Sequence, residues 1–111
     1  MDFNAVIKKV LDFRDKRAWK KFHNPKDLAI SLNLEAAELL EIFQWSGIDL
    51  DVQNSKDKVK EELADVLIYC IYLAKAYDLN ICEIISEKIA INNKKYPIEK
   101  AKGNSTKYTE L

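Results

Sequence analysis

Glycine and proline are nearly missing from this chain, with two of each among 111 residues: Gly47, Gly103, Pro25 and Pro97. A sheet-rich fold needs turn residues every 8–12 positions or so, and they are not there. No alternating apolar–polar stretch longer than a few residues replaces them. Histidine occurs once and cysteine twice. There is no CxxC pair, so a zinc site of the usual spacing is excluded. The two thiols, Cys70 and Cys82, read as reduced core residues rather than a disulfide framework. Neither sign of charge is in excess: eighteen basic residues balance eighteen acidic ones. A nucleic-acid binder carries a basic surplus or stripe, so no nucleic-acid partner is expected. The longest uncharged apolar run, Val66 to Ala74, falls short of the roughly 20 residues that cross a bilayer. The opening MDFNAVIKKV is charged too early for a signal peptide. A cytoplasmic protein without a membrane partner is the expectation.

What is present is apolar and helical. The chain is 48% hydrophobic and 32% charged, enough for the core of one domain spanning 1–111. Phe3, Val6, Ile7, Val10 and Leu11 follow a helical period, and predict a first helix from about Phe3 to Lys20 with Asp2 as N-cap. His23-Asn24-Pro25 breaks it. A second helix is expected from about Lys26 to Trp45, ended by Gly47. A third runs from about Ser55 to Tyr77. Asn80 caps a fourth, with Glu83 three residues on as in a capping box, and Pro97 closes it near Tyr96. Residues 98–111 are polar and read as a mostly irregular tail. Four helices on short connections make an all-α, four-helix bundle-like core.

The second helix is apolar almost all the way round: Leu28, Ile30, Leu32, Leu34, Leu39, Leu40, Ile42 and Phe43 nearly encircle its axis. Such a helix buries more than one face, and a chain of this length is marginal as a solitary fold. A core completed in a homodimer or homotetramer is expected.

Carboxylates interrupt these apolar helices. Glu35 and Glu38 are spaced i,i+3 and share a face, and so do Glu62 and Asp65. Asp65 is the only charge from Leu63 to Ala74. An ionised aspartate in that setting costs several kcal/mol unless it is paired or metal-bound. Either pair alone reads equally as a solvated face. Two pairs on helices joined by a single loop suit a hard divalent ion such as Mg²⁺, which takes oxygen ligands. No helix carries ExxH, which argues against a di-iron bundle site.

The segments Glu35-Ala-Ala-Glu38-Leu-Leu-Glu41-Ile-Phe-Gln-Trp45, Glu61-Glu62-Leu-Ala-Asp65-Val-Leu-Ile-Tyr69 and Lys94-Lys95-Tyr96-Pro97 resemble the MazG-type all-α NTP pyrophosphohydrolases. Phe22-His23-Asn24-Pro25 and the KYTEL of Lys107 to Leu111 are similar to the dCTP pyrophosphatase branch. The resemblance covers nearly the whole chain. It implies Mg²⁺ as cofactor and a (deoxy)nucleoside triphosphate, dCTP-like, cleaved to monophosphate and pyrophosphate. By position it implies Glu35, Glu38, Glu62 and Asp65 as metal ligands. It also implies a nucleotide pocket lined by Trp19, the segment Lys20, Lys21, Phe22 and His23, and by Trp45 and Tyr69. One departure stands out: a first-helix histidine of close relatives is replaced here by Val10.

The chemistry is coherent on its own terms. Hydrolysis at an α-phosphorus requires the triphosphate's charge to be neutralised, and an unligated acid takes a proton. Glu41 and Glu61 both fit that role, and their order in the chain does not choose between them. Lys88, Lys94 and Lys95 are candidates to hold the leaving pyrophosphate. Trp19, Phe22, Trp45 and Tyr69 offer faces on which a base can stack. Two other readings remain open at this level: a non-enzymatic helical dimerisation or regulatory module, and a related pyrophosphohydrolase of different base specificity.

Overall fold

The computed structural model describes residues Met1–Leu111, all in helices, turns and loops without a strand. The all-α expectation holds, with four long helices where periodicity places them and one short one after them: α1 Phe3–Lys16, α2 Pro25–Glu41, α3 Lys56–Ala76, α4 Ile81–Lys95 and α5 Ile98–Ala101. The chain forms two compact units, Met1–Asp78 and Leu79–Leu111.

In the first unit α2 packs along α3, and α1 packs on α3 over a shorter stretch. Caps set where the helices begin. The Asp2 carboxylate accepts from the Ala5 N–H at 2.8 Å, and the Asn24 side chain accepts from the Asp27 N–H at 2.9 Å. Pro25 takes the first position of α2, where its missing N–H costs nothing.

Two helices end earlier than periodicity predicts. α1 stops at Lys16, not Lys20, because the Arg14 carbonyl accepts from both Arg17 and Trp19 and Ala18 turns to φ +53°. A separate 3₁₀ turn, Lys20–Phe22, follows. α2 stops at Glu41. The next bonds run Ile42 to Leu39, Phe43 to Leu40 and Gln44 to Glu41, a tightening into three-residue turns. Trp45 then adopts φ +68°, two residues before Gly47 at +58°. The reversal expected at the glycine therefore begins at a tryptophan.

The core of the first unit is small. Its buried apolar residues are Leu28, Ile71, Tyr72 and Ala74, beside a buried Arg14 that is 5% exposed. The Arg14 guanidinium donates to Asp15 Oδ1 through Nε at 2.9 Å and Nη2 at 2.8 Å. The Tyr72 hydroxyl reaches the Val10 carbonyl at 3.5 Å, tying α3 to α1. Val6, Val10, Phe13, Ile68 and Tyr72, with Lys9, line an apolar cavity of about 320 Å³. Ile30, Leu34 and Leu40 of α2 and Leu63 and Leu67 of α3 remain exposed.

In the second unit the Asn80 side chain accepts from the Glu83 N–H at 3.0 Å, giving the expected N-cap of α4. The tail is more ordered than its composition suggests: α5 and a 3₁₀ turn at Tyr108–Glu110 interrupt it. Tyr108 meets Tyr96 edge-on, with ring centroids 5.8 Å apart. Both cysteines are free, but Cys82 is exposed and so is not a core residue. No helix is long and apolar enough to cross a membrane.

Candidate active site

α2 and α3 bring acids together. One carboxylate oxygen from each of Glu35, Glu62 and Asp65 lies within 4.8 Å of the others. Helical spacing explains the convergence, since Glu35 sits on one face of α2, and Glu62 and Asp65 sit a turn apart on the α3 face. Glu35 Oε2 and Glu62 Oε2 are buried and accept no hydrogen bond. No cation answers them: the ion pairs of the chain are Lys8–Asp12 and Arg14–Asp15, both on α1. Buried carboxylate oxygens left without a donor are costly. Hard oxygen donors arranged this way fit a divalent metal ion.

The electrostatics carry the mark of crowding. Burial, followed by interaction with Glu38 and then the charges of Asp65 and Glu62, pushes the Glu35 carboxyl up to about 7. Glu62 is raised by burial first, then by Glu38, and then by the charges of Asp65 and Glu61. Carboxylates that repel one another and lack solvent hold their protons.

Glu38 is exposed and outside the three-residue cluster, one turn beyond Glu35. It joins Glu62, Glu41, Ile42, Gln44 and Lys58 in lining an adjoining cavity of about 540 Å³. Glu41 and Glu61 are both exposed, but Glu41 lines this cavity with Glu38 and Glu62 and Glu61 does not. Lys58 and Gln44 were not anticipated. The signal for Lys58 was available, since it precedes Glu62 by four residues on α3 and so shares its face.

A second cavity of about 240 Å³ is lined by Trp19, Phe22, His23, Asp27, Leu28, Ser31 and Tyr69. Four of the expected pocket residues are thus brought together by the α1–α2 connection, α2 and α3. The His23 ring packs against Tyr72 at 4.5 Å between centroids, and its Nδ1 is buried without a partner. Burial first, and then Arg14, lower the His23 pKa, so the ring is neutral near pH 7. Asp27, Leu28 and Ser31 are the lining residues that sequence reasoning missed, Asp27 and Ser31 being the polar ones. Asp27 and Ser31 follow from the α2 helix, on which 27, 31, 35 and 38 fall on one face.

Other expected residues lie elsewhere. Trp45 is 91% exposed and lines neither cavity. Lys20 and Lys21 are exposed on the 3₁₀ turn, with the Lys21 ammonium 5.3 Å over the Phe22 ring. Lys88, Lys94 and Lys95 belong to α4 in the second unit. The Lys95 ammonium stands 4.7 Å over Tyr108 there.

The fold and site define a class, an all-α protein with a carboxylate cluster on facing helices beside an aromatic cavity. The MazG-like family model matches residues 30–111, and the chain belongs to that family. It is 36% identical to human dCTP pyrophosphatase 1 over 105 residues, covering 90% of this chain and 62% of that protein. Mouse dCTP pyrophosphatase 1 is 33% identical over the same coverage. The chain thus spans about 62% of the length of these relatives. The crystal structure of a pyrophosphatase from Archaeoglobus fulgidus superposes with a TM-score of 0.79 at 43% identity, covering 85% of this chain and 91% of that one.

Proposed function

We propose that this protein hydrolyses a (deoxy)nucleoside triphosphate, dCTP-like, to the monophosphate and pyrophosphate with Mg²⁺. The observation that carries the reading is the convergence of Glu35, Glu62 and Asp65 with two buried, unpartnered oxygens and no basic side chain paired to them. Relatives named for dCTP pyrophosphatase activity and a structural neighbour named as a pyrophosphatase support it.

Glu35, Glu38, Glu62 and Asp65 would hold the metal. When bound, Mg²⁺ supplies neutralisation of the triphosphate's charge. The remaining steps belong to the side chains. Trp19, Phe22, His23 and Tyr69 bind the base, and the sharing of one cavity supports this grouping. Glu41 takes the proton of the water that attacks the α-phosphorus. Its place in the cavity with Glu38 and Glu62 favours it over Glu61. The bond from the α-phosphorus to the α–β bridging oxygen breaks and pyrophosphate leaves. Lys58, in the same cavity, is positioned to receive its charge, and this favours it over Lys88 and Lys95.

The assembly is a homodimer or homotetramer. Support comes from the small buried core and from Ile30, Leu34, Leu40, Leu63 and Leu67, all exposed on α2 and α3. Exposed apolar side chains on two helices that pack together suit an interface. Trp45, turned out at φ +68°, is available to a second copy. The retained carboxylate set argues against a purely structural module.

A panel of NTPs and dNTPs with Mg²⁺, with products resolved, tests the function. Pyrophosphate plus monophosphate is the expected result. Release of orthophosphate with a nucleoside diphosphate contradicts it.

A further inference from the structure

Asp27 has an evident structural duty. It is the third residue of α2, its N–H donates to the Asn24 side chain at 2.9 Å, and its Oδ2 accepts from Asn24 Nδ2 at 2.6 Å. That pairing completes the start of the helix. It uses one carboxylate oxygen only. Oδ1 accepts no hydrogen bond, and the side chain lines the aromatic cavity with Trp19, Phe22, His23 and Tyr69. Asp27 is an exposed residue, so its anionic acceptor is open to a ligand, tied through the other oxygen to its neighbour, at the wall of a cavity lined largely by ring faces.

Its position along α2 says which part of a ligand it meets. Asp27, Ser31 and Glu35 succeed one another at four-residue intervals on one helix face. At a rise of ~1.5 Å per residue, Asp27 lies about 12 Å from Glu35 along the axis, and Ser31 about midway. α3 repeats the order, with Glu62 and Asp65 at the acidic end and Tyr69 at the aromatic end. Phosphates drawn to the carboxylate cluster place the sugar between, and the base against Tyr69. The atom of a pyrimidine farthest from its sugar bond is the substituent on C4, opposite N1. In that arrangement it points to the Asp27 end of the cavity. In cytosine it is an amino group, a donor, and in thymine or uracil a carbonyl oxygen, an acceptor.

We propose that Asp27 is the base-discriminating residue of this site, accepting a hydrogen bond from the 4-amino group of a cytosine nucleotide and repelling a 4-oxo pyrimidine. The inference rests on the reading of the site as a nucleotide pocket. A cavity of about 240 Å³ is below the usual ~300 Å³ lower bound for drug-sized ligands, and so suits a single small ring. A carboxylate with a free oxygen cannot turn round to donate, whereas a carboxamide can.

The test is the ratio of kcat/KM for dCTP to that for dUTP in the wild type, Asp27→Asn and Asp27→Ala, with dATP as a size control. A site built around a donor on the ligand rejects analogues lacking it strongly. The wild type is expected to prefer dCTP over dUTP by at least ~10-fold. Asp27→Asn should cut that ratio at least ~10-fold, in part by gaining dUTP activity, because its amide can present N–H to the 4-oxygen. Asp27→Ala should lose the preference without gaining dUTP turnover. Melting temperatures separate the capping duty, which lowers both substrates together. A ratio within about twofold of wild type in both variants overturns the proposal. So does a selective loss of dUTP, which would mean that Asp27 accepts from the uracil imide. Calorimetric binding of dCMP and dUMP to wild type and Asp27→Asn reads the same ratio without turnover. If no triphosphate is hydrolysed, the catalytic reading fails by itself, while absence of a dCMP preference in binding sinks this one.

Discussion

Glu35 and Glu62, twenty-seven positions apart on facing helices, bring carboxylate oxygens within 4.8 Å of each other, and the Oε2 of each is buried without a hydrogen-bond partner. Two acids in that relation are either protonated or bound to a cation. The measurable consequences of the site follow from that alternative.

Asp65 completes the cluster, and its removal separates a metal site from a structural one. Asp65→Asn keeps the shape and deletes one negative charge. The expected result is loss of hydrolysis, loss of Mg²⁺-dependent thermal stabilisation, and a metal-free melting temperature at or above wild type. A structural ion pair would behave oppositely, since stranding a buried partner costs roughly 3–5 kcal/mol. A variant that melts far lower without metal and still hydrolyses nucleotide would contradict the assignment.

Glu35 sets the pH response. Its carboxyl is raised from 4.5 to about 7. Between those values the folded chain binds more protons than the unfolded one, so metal-free stability falls as pH rises through the window. Mg²⁺ requires the deprotonated form, so its affinity rises over the same range. Melting curves from pH 4 to 8 with and without Mg²⁺ check both trends. Glu35→Gln should flatten the metal-free slope, and an unchanged slope would assign the effect elsewhere.

Tyr69 lies on the aromatic cavity wall, on the α3 face that also carries Asp65. Stacking on an aromatic is worth roughly 1–3 kcal/mol per base and acts mostly on binding. Tyr69→Ala should raise KM about tenfold or more, with kcat changed less. An unaltered KM in folded protein would return Tyr69 to packing. For Trp45→Ala the KM effect is expected only in the oligomer, where the exposed indole meets another copy.

The exposed leucines predict assembly. Light scattering at micromolar concentration should give a dimer or tetramer, and Leu67→Lys should shift it towards smaller species. A stable wild-type monomer would remove the oligomer from the account.

By itself the sequence determined the helices and the chemistry they carry. Apolar period, caps at Asp2 and Asn80, and the scarcity of Gly and Pro leave no other class of fold, because those signals are local and each acts within a turn or two of chain. The acids were legible for the same reason: helical spacing alone puts Glu35 with Glu38, and Glu62 with Asp65, on one face of a helix. Tertiary structure decided what local rules cannot. Trp45 turns outward, Glu41 rather than Glu61 shares a cavity with Glu38, and Asp27 reaches the cavity of Trp19 and Tyr69. Which acids and which α2 side chains share a cavity depends on how α2 is rotated against α3, and that rotation is set by long-range packing around Leu28, Ile71 and Tyr72, which no window of sequence contains.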